Sequence, residues 1–260
     1  LLNENTRWVF FTHCSNLVGT ANPVKEIVAQ IRQRSTAFVG VDGVAHAPHH
    51  IPDLKDLDVD LYLFSLYKVF GPHQGILYVR RSVADTLAPQ SHHFLVKDPT
   101  KRFNPTGPQH AQVAACAGVI DYLAALMNHH GIEYNGEPSS LSAALQSLHP
   151  VIANYEASLT APIIEFLHQS NAAQLLGKPH CNDGDRAPTI AFRPTTISAG
   201  DVATKLQAQG VGAENGDFYA GRVLDGMGIA RQDGVVRLSF VHYNTEPDVQ
   251  KVVSALEQVL

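Results

Sequence analysis

The sequence predicts an α/β fold, with a mostly parallel sheet formed by residues 1–148 and a smaller α+β domain formed by residues 149–260. Three observations lead to this prediction. Short runs of β-branched and aromatic residues alternate with segments of helical periodicity through the first half of the chain. After a long helical segment the pattern becomes a mixture of strands and helices, and the chain ends in a segment whose apolar residues share one helical face.

The first elements are a strand and the helix that follows it. The pattern predicts a strand at Trp8–Thr12 and a helix at about Pro23–Arg34, which is expected to cover one face of the sheet. Asn22 and Pro23 supply a predicted cap and a first-turn proline for this helix. Its apolar residues at helical spacing are Val24, Ile27, Val28 and Ile31.

The rest of the first domain contains three more strands and a second helix. The strands are expected to end near Asp42, Lys68 and Arg80. An alanine-rich helix is expected at about His110–Met127, and a polar, glycine-containing stretch follows it. We expect a helix at about His149–Ser170 to lead out of the sheet domain, which places the domain boundary near residue 148.

The second domain is predicted from a shorter series of elements. Strands are expected around Thr189–Arg193 and Val235–Phe240, and helices near Gly200–Ala208 and Glu246–Leu260. The last helix is amphipathic and ends the domain. Its apolar face carries Val249, Val252, Val253, Leu256 and Val259.

Length and composition agree with a soluble enzyme. A chain of 260 residues with 45% hydrophobic content can bury a substantial core. The formal net charge of -5 and the scattered lysines and arginines argue against a nucleic-acid partner, because such a partner requires a basic surface. The three cysteines lack metal-site spacing and favour a reducing compartment. No signal peptide or membrane-spanning pattern is recognised, so the cytoplasm is the expected location and a membrane partner is not expected.

A single lysine, Lys68, lies where an apolar strand breaks into a Gly-Pro turn, within the stretch LFSLYKVFGPHQGILYVR. A lysine amine attacks a carbonyl only when it is deprotonated, and apolar neighbours such as Val69 and Phe70 favour the neutral amine by penalising the charged one. This pattern predicts the covalent anchor of an aldehyde cofactor. The alternative is a solvated lysine at the end of a strand.

Asp42 ends the predicted strand TAFVGVD and is followed by a glycine that permits a sharp turn. Ligands collect outside the carboxyl ends of the strands in open α/β sheets. A carboxylate held there can pair with a protonated pyridine nitrogen, which makes the ring an electron sink. Asp42 is therefore a candidate partner for a pyridine-type cofactor.

Several ordered segments resemble those of the aminotransferase class V family of fold type I pyridoxal-phosphate enzymes, in particular its cysteine-desulfurase-like branch. The segments run in family order across nearly the whole chain. They are CSNLVGTANPVKEI (Cys14–Ile27), the Asp42 segment, the Lys68 segment, FNPTGPQHAQVAA (Phe103–Ala115) and VVRLSFVHYNT (Val235–Thr245). The resemblance implies a pyridoxal phosphate cofactor, a pyridoxal-phosphate-binding large domain that is present only in part, and a homodimer.

The resemblance also implies roles for the matching cofactor residues. Lys68 would be the covalent anchor, Asp42 would pair with the pyridine nitrogen, and Asn16 would lie beside the cofactor ring. Ser65 and Tyr67 would lie near the phosphate. Because they are two positions apart on one predicted strand, both hydroxyls are expected on the same side, next to the lysine. For Asn16 the alternative is a turn residue that bonds its own backbone.

Three more residues complete the implied site. Thr106 and Gly107 match a segment that, in relatives, reaches the phosphate of the neighbouring subunit's cofactor, although the usual Gly-Thr order is reversed here. A solvated turn is the alternative for this pair. Arg237 would bind the α-carboxylate of an amino-acid substrate, because a guanidinium offers two parallel donors that match a carboxylate. An exposed strand arginine is the alternative.

Two departures from the family pattern bear on the reaction. The segment ENGDFYA places Tyr219 where cysteine desulfurases carry the cysteine that takes up sulfur. Tyrosine cannot form a persulfide, so sulfur transfer through this loop is not expected unless Cys14 or Cys181 supplies the thiol. For Cys14 a buried hydrophobic role is favoured. Ala45 stands where relatives often place a glutamine or histidine on the phenolic oxygen of the cofactor.

The 14 histidines include a cluster at His46, His49 and His50, beside the proposed site. Adjacent histidines in an extended loop diverge, and no known ligand motif is present. We therefore predict no metal site, and we expect these histidines to be solvated or part of the core.

Together these observations predict a pyridoxal-phosphate-dependent class V aminotransferase-like enzyme that acts at the α-carbon of a small amino acid. Transamination, β-elimination of the C–S lyase type and racemisation share the first deprotonation and stay open. The resemblance further implies that the chain begins within the large domain, without the upstream residues that supply a phosphate loop and a ring stacked on the cofactor. The alternative is a catalytically silent fragment or a dimerisation module that keeps the fold. A Rossmann-type nucleotide binder is disfavoured because no G-x-G-x-x-G follows a strand.

Overall fold

A computed structural model describes residues 2–104, 107–180 and 184–260. The chain divides into two compact units. Unit 1 consists of Leu1–Thr12, Pro23–Ala47 and Pro52–Ala144, and unit 2 consists of His13–Asn22, Pro48–Ile51 and Leu145–Leu260. The sequence places a single boundary near residue 148, whereas the structure assigns two short early segments to unit 2 as well.

Unit 1 is built on a four-stranded sheet with strand order β1-β2-β3-β4. Its strands are β1 (Trp8–Thr12), β2 (Phe38–Asp42), β3 (Leu61–Ser65) and β4 (Gly75–Val79). β1 is parallel to β2 and β2 is parallel to β3, whereas β4 runs antiparallel to β3. The prediction of a mostly parallel sheet is confirmed. The β3–β4 pair is antiparallel because the connection is too short for a crossover.

Helix α1 (Val24–Arg34) packs on this sheet, as its periodicity predicts. Its apolar side contacts the same buried cluster as Val39 and Tyr62. The buried helix residues are Val24, Val28 and Ile31. The structure places Pro23, rather than the predicted Asn22, at the capping position, and Pro23 has no side-chain group that can cap the first turn.

A buried carboxylate fixes the start of β3 against β2. Asp60 Oδ2 accepts hydrogen bonds from the Val39 amide at 2.7 Å and from the Arg32 guanidinium at 2.7 Å. Arg80 Nε lies 3.3 Å from Asp60 Oδ1, so both carboxylate oxygens are paired. Such a satisfied polar network rigidifies the strands around it, and with them the residues at their carboxyl ends.

The remaining helices of unit 1 are α2 (Arg81–Ala84), α3 (His110–Ala115) and α4 (Ala117–His129). The single alanine-rich helix that the sequence predicts is therefore divided at Cys116. By length and composition alone, the segment His110–His129 is apolar enough to cross a membrane. Core helices of soluble proteins often have the same length and hydropathy. Most of its described residues are exposed or half-buried, so this segment is an apolar surface of unit 1.

The long helix α5 spans Pro138–Gln169, and its residues from Leu145 onward belong to unit 2. The helix starts earlier than predicted, with Pro138 in its first turn, where a missing amide hydrogen costs nothing. A four-stranded antiparallel sheet follows, with strand order β5-β6-β8-β7. The elements after α5 are β5 (Ala173–Leu176), β6 (Thr189–Pro194), α6 (Ala199–Ala208), β7 (Glu214–Gly216), α7 (Gly221–Gly226), β8 (Val235–Ser239) and α8 (Glu246–Val259).

The core of unit 2 forms where α6 and α8 pack on β6 and β8. Phe192 and Leu238 from the strands join one buried cluster with Leu206 of α6. Helix α8 begins with a capping box between Thr245 and Asp248, which satisfies its first amides. Its predicted apolar face includes the buried residues Val249, Val252, Leu256 and Val259, with Val253 partly buried.

The histidine cluster of the sequence is buried. His46 in unit 1 and His49 and His50 in unit 2 are 7%, 9% and 6% exposed. His49 Nδ1 lies 3.0 Å from Glu156 Oε2, whereas His50 Nδ1 contacts His149 Nε2. The adjacent pair thus diverges onto two different partners on α5, as expected of neighbours in an extended loop, and both histidines belong to the core.

We expect the stability of unit 2 to fall as the pH decreases below about 6.5. Burial lowers the pKa of His50 to about 3 and that of His13 to about 4, from an ordinary value of 6.5. Between these values the unfolded state binds more protons than the folded state. The stabilisation that the neutral, buried His50 and His13 give to the folded state is therefore fully present above pH 6.5. It is lost as the pH falls from 6.5 toward the folded pKa values, and the free energy of unfolding decreases by about 1.4 kcal/mol per pH unit for each proton taken up.

Urea unfolding followed by circular dichroism at pH 7, 6 and 5 measures this loss, since most carboxylates stay ionised in that range. His50→Gln should reduce the slope by one proton, and His129→Gln, at an exposed position, should leave it unchanged. A His50→Gln protein with the wild-type slope would contradict the assignment.

Candidate active site

The carboxyl ends of three parallel strands gather candidate residues at one edge of the unit 1 sheet. β1, β2 and β3 end at Thr12, Asp42 and Ser65. Because these strands are mutually parallel, their ends lie on the same side of the sheet. Lys68 follows three residues after the end of β3. This edge is the place where open α/β sheets bind ligands.

Asp42 is held by its own turn. Its Oδ1 accepts a hydrogen bond from the Val44 amide at 2.9 Å, and the Gly43 amide donates to Leu63 O at 2.8 Å, which ties the turn to β3. A Cβ at Gly43 would overlap the ring of Tyr62, so only glycine fits this close approach. Within the described residues, Asp42 Oδ2 accepts no hydrogen bond. The arrangement is a fixed carboxylate with one oxygen open to a donor, and it fits a protonated pyridine nitrogen.

Lys68 lies at the end of a 3-10 turn formed by Leu66–Lys68. The Leu66 amide donates to Gln74 O, and the Val69 and Gly71 amides donate to Leu66 O, each at 2.8 Å. Leu66 itself is buried, so the turn is anchored by one apolar side chain and three main-chain hydrogen bonds. The Lys68 side chain is partly buried, which differs from the fully solvated alternative.

The predicted arrangement of Ser65 and Tyr67 is wrong. β3 ends at Ser65, and the chain then turns, because main-chain hydrogen bonds to Leu66 O close a tight loop instead of continuing the pleat. The two hydroxyls are therefore not spaced along one strand. Tyr67 is 48% exposed and stacks on His73 with ring centroids 5.0 Å apart. Ser65 is partly buried and pairs with Gly75, so it stays at the strand edge with Asp42.

The predicted phosphate pair is described only in part. Thr106 lies outside the described residues. Gly107 is exposed, and a Cβ placed on it would meet nothing within 4 Å among the described atoms. Its role toward a neighbouring subunit stays a prediction.

In unit 2, Arg237 lies on β8 and is partly buried. Its NH1 group donates to Asn16 O at 2.9 Å, and its guanidinium carbon lies 4.1 Å from the centroid of the Phe218 ring. Glu214 is directly opposite on β7. Burial lowers the pKa of Arg237, and the charge of Glu214 acts in the opposite direction. Even so, no carboxylate of the described residues forms an ion pair within 4 Å of this guanidinium.

Asn16 makes a long-range contact instead of a local one. Its Nδ2 donates to Phe218 O at 2.7 Å, across 202 positions of sequence. The local turn is made by its neighbour Ser15, whose Oγ accepts from the amides of Leu17 and Val18. Asn16 does lie in a turn, as the alternative has it, but its side-chain amide reaches Phe218 rather than its own backbone. The predicted contact with a cofactor ring stays a prediction.

The loop that carries Tyr219 is strained and exposed. Phe218 and Tyr219 have φ angles of 51° and 60°, in the left-handed region that non-glycine residues rarely adopt. The Tyr219 side chain is fully exposed. Cys14 is buried and its Sγ lies 3.1 Å from Gly19 O, which agrees with its predicted hydrophobic role, and Cys181 lies outside the described residues.

Sequence reasoning missed Phe218. It identified the loop because of the neighbouring tyrosine, but an aromatic residue in a polar segment carries no signal of its own. Its contacts with Asn16 and Arg237 join segments that lie far apart in the sequence. Only the fold brings them together.

Comparisons with known proteins agree with the predicted resemblance. The aminotransferase class-V family model matches residues 1–252. An aminotransferase-like protein of Gibberella zeae is 33% identical over 261 residues, covering 100% of this chain and 61% of that protein. A cysteine desulfurase-like protein of Aspergillus flavus is 29% identical over 265 residues, covering 100% of this chain and 56% of that protein.

A solved structure shows the same fold. A crystal structure of a cysteine desulfurase from Escherichia coli has a TM-score of 0.78 at 21% sequence identity, over 99% of this chain and 60% of that chain. At this identity the likeness shows the fold alone. The chain thus spans between 56% and 61% of the length of these three proteins.

Proposed function

This chain belongs to the aminotransferase class-V family, and from that membership we propose that it forms part of an enzyme that acts at the α-carbon of a small amino acid. Members of the family are enzymes that use pyridoxal phosphate. The proposed cofactor is therefore pyridoxal phosphate, and the proposed reaction class is that of a transferase or lyase. A homodimer is the proposed assembly, on the resemblance alone.

The proposal depends on one observation, which is that Arg237 is partly buried and forms no ion pair with a carboxylate of the described residues. A partly buried guanidinium without a carboxylate partner in the described chain has lost hydration without regaining an ion pair, which costs free energy. An anionic ligand with two oxygens restores that pairing, because the guanidinium fork matches a carboxylate bidentately. The α-carboxylate of an amino acid has this chemistry.

Unit 1 supplies the groups that would hold the cofactor. Lys68 would bind its aldehyde, Asp42 would pair with its pyridine nitrogen, and Ser65 would donate a hydroxyl at the same strand edge. The chemistry that this cofactor would supply when bound is an electron sink for the substrate α-carbon. The Lys68 amine would move the proton at the substrate α-carbon, and Asp42 would stabilise positive charge at the ring nitrogen.

The proposed outcome is transamination or elimination of the C–S lyase type. Persulfide formation requires a thiol on the loop that carries Tyr219, and a phenol cannot form a persulfide. Cys14 does not replace it, because its side chain is buried. Sulfur transfer by the loop route is therefore not proposed.

Arg237→Gln in the full-length protein tests the proposal. We expect KM for an amino-acid substrate to rise by about 100-fold, because two charge-assisted hydrogen bonds are lost, and kcat to change much less. Steady-state kinetics with a panel of small amino acids gives both values. The same substitution should have little effect on an amine substrate that lacks the carboxylate.

Arg193→Gln is the matched control, because Arg193 is also a partly buried strand arginine of unit 2, on β6. It should leave KM within about threefold of the wild type. An equal loss for the amino acid and for the amine would rule out carboxylate binding by Arg237.

A further inference from the structure

Three residues from distant parts of the sequence form a closed set of contacts in unit 2. Arg237 donates to Asn16 O at 2.9 Å, Asn16 Nδ2 donates to Phe218 O at 2.7 Å, and the Phe218 ring lies 4.1 Å from the Arg237 guanidinium carbon. Each residue therefore contacts the other two. We call this set the arginine clamp.

The Phe218 ring is held from several sides. Its side chain packs against the buried cluster that includes Leu17 and Leu224. The turn around it is fixed by Asp217, whose Oδ1 accepts from the Tyr219 amide at 3.0 Å. The left-handed backbone of Phe218 is unfavourable for a residue with a side chain and persists only where surrounding contacts override it. The loop thus presents the ring to Arg237 at a cost in local strain.

The clamp leaves the donors of Arg237 available. Among the described residues, the one side-chain hydrogen bond that Arg237 donates goes to Asn16 O, so its other N–H groups stay available to a carboxylate. Asn16 O occupies one N–H of NH1 and fixes the rotation of the plane. The other in-plane donors keep a defined direction, which lowers the entropy lost when a carboxylate binds.

A competing carboxylate lies on the neighbouring strand. Glu214 is in register with Arg237, and side chains at directly opposed positions share one face of a sheet. The negative charge of Glu214 raises the pKa of Arg237, yet the two side chains do not form an ion pair within 4 Å. The clamp accounts for this, because it directs the guanidinium toward Asn16 and Phe218.

We propose that Phe218 is a positioning residue that holds Arg237 away from Glu214 and preorganises it for the substrate carboxylate. This inference rests on the proposed function. It adds a specificity element that acts through Arg237 without itself touching the reacting atoms.

Phe218→Ala should raise KM for the amino-acid substrate by about tenfold, from the lost ring contact and from pairing of the freed arginine with Glu214, while kcat changes by less than about threefold. Phe218→Tyr keeps the ring and should stay within about twofold of the wild type. Alanine has a similar left-handed backbone penalty to phenylalanine, so the comparison isolates the side chain.

Rescue separates positioning from general damage. Glu214→Gln alone should change KM by less than about threefold. Phe218→Ala combined with Glu214→Gln should recover the part of the tenfold loss that comes from pairing of Arg237 with Glu214, because the competing charge is gone. The NMR signal of the Arg237 Nε–H group, recorded without substrate, should lose its ring-current shift in Phe218→Ala and keep it in Phe218→Tyr.

The outcomes distinguish the two levels of the proposal. A wild-type protein without activity toward any amino acid defeats the proposed function. An active wild type in which Phe218→Ala leaves KM unchanged overturns the positioning role of Phe218, and a double variant that is no better than Phe218→Ala overturns competition by Glu214.

Discussion

Replacement of Lys68 by alanine is expected to abolish the absorbance at about 410–430 nm that the bound cofactor gives, and to lower amino-acid turnover by about 10³-fold or more. The amine is the only group at this strand edge that can attack an aldehyde, among the described residues assigned to it. Absorbance spectroscopy of the purified full-length protein with pyridoxal phosphate measures the first effect, and steady-state kinetics measures the second.

The loss should be chemical rather than structural. The turn that carries Lys68 is held by main-chain hydrogen bonds to and from Leu66, which alanine at position 68 retains. Circular dichroism and the thermal midpoint should therefore stay near those of the wild type. Lys55→Ala is the control, since Lys55 is exposed and belongs to the same unit.

A covalent label gives an independent reading. Borohydride reduction of the protein with cofactor should add the cofactor's mass to the peptide that contains Lys68, and mass spectrometry should find no label there in Lys68→Ala. A colourless wild type that takes up no label would favour the alternative of a catalytically silent module.

The sequence was sufficient for the elements that position this site. β-branched and aromatic runs end at Asp42 and near Lys68, and the parallel pairing of their strands brings both to one edge. Local periodicity predicts where strands and helices form. The rule that open sheets bind ligands at the carboxyl ends of their strands then predicts where the site lies. The assignment of Arg237 to a strand follows in the same way.

What the sequence did not predict depends on main-chain turns and on long-range contacts. A strand pattern cannot show that hydrogen bonds to Leu66 O end β3 before Tyr67. Nor can it show that Asn16 meets Phe218, because 202 positions separate them. Burial of His49 and His50 likewise depends on α5, whose approach no local pattern encodes.

Asp42→Asn is expected to lower kcat by about 10²- to 10³-fold while the cofactor still binds, because a neutral amide cannot stabilise the positive charge that makes the ring an effective electron sink. The structure makes this substitution a clean one. Asparagine keeps an Oδ1 that accepts from the Val44 amide, so the turn and the glycine that packs on Tyr62 are retained. Cofactor affinity by absorbance titration and kcat by steady-state assay separate binding from chemistry.

Asp53→Asn is the matched control for this last prediction. Asp53 Oδ1 accepts the amide of Lys55 two positions on, as Asp42 does with its own turn, but it lies in an exposed loop of unit 1. Its substitution should leave kcat within about twofold of the wild type. If Asp42→Asn retained wild-type turnover, the open oxygen of Asp42 would not face a ring nitrogen, and the charge that assists deprotonation would have to come from another group. The amine of Lys68 would still hold the aldehyde in that case, so the covalent label and the turnover rate would both match those of the wild type.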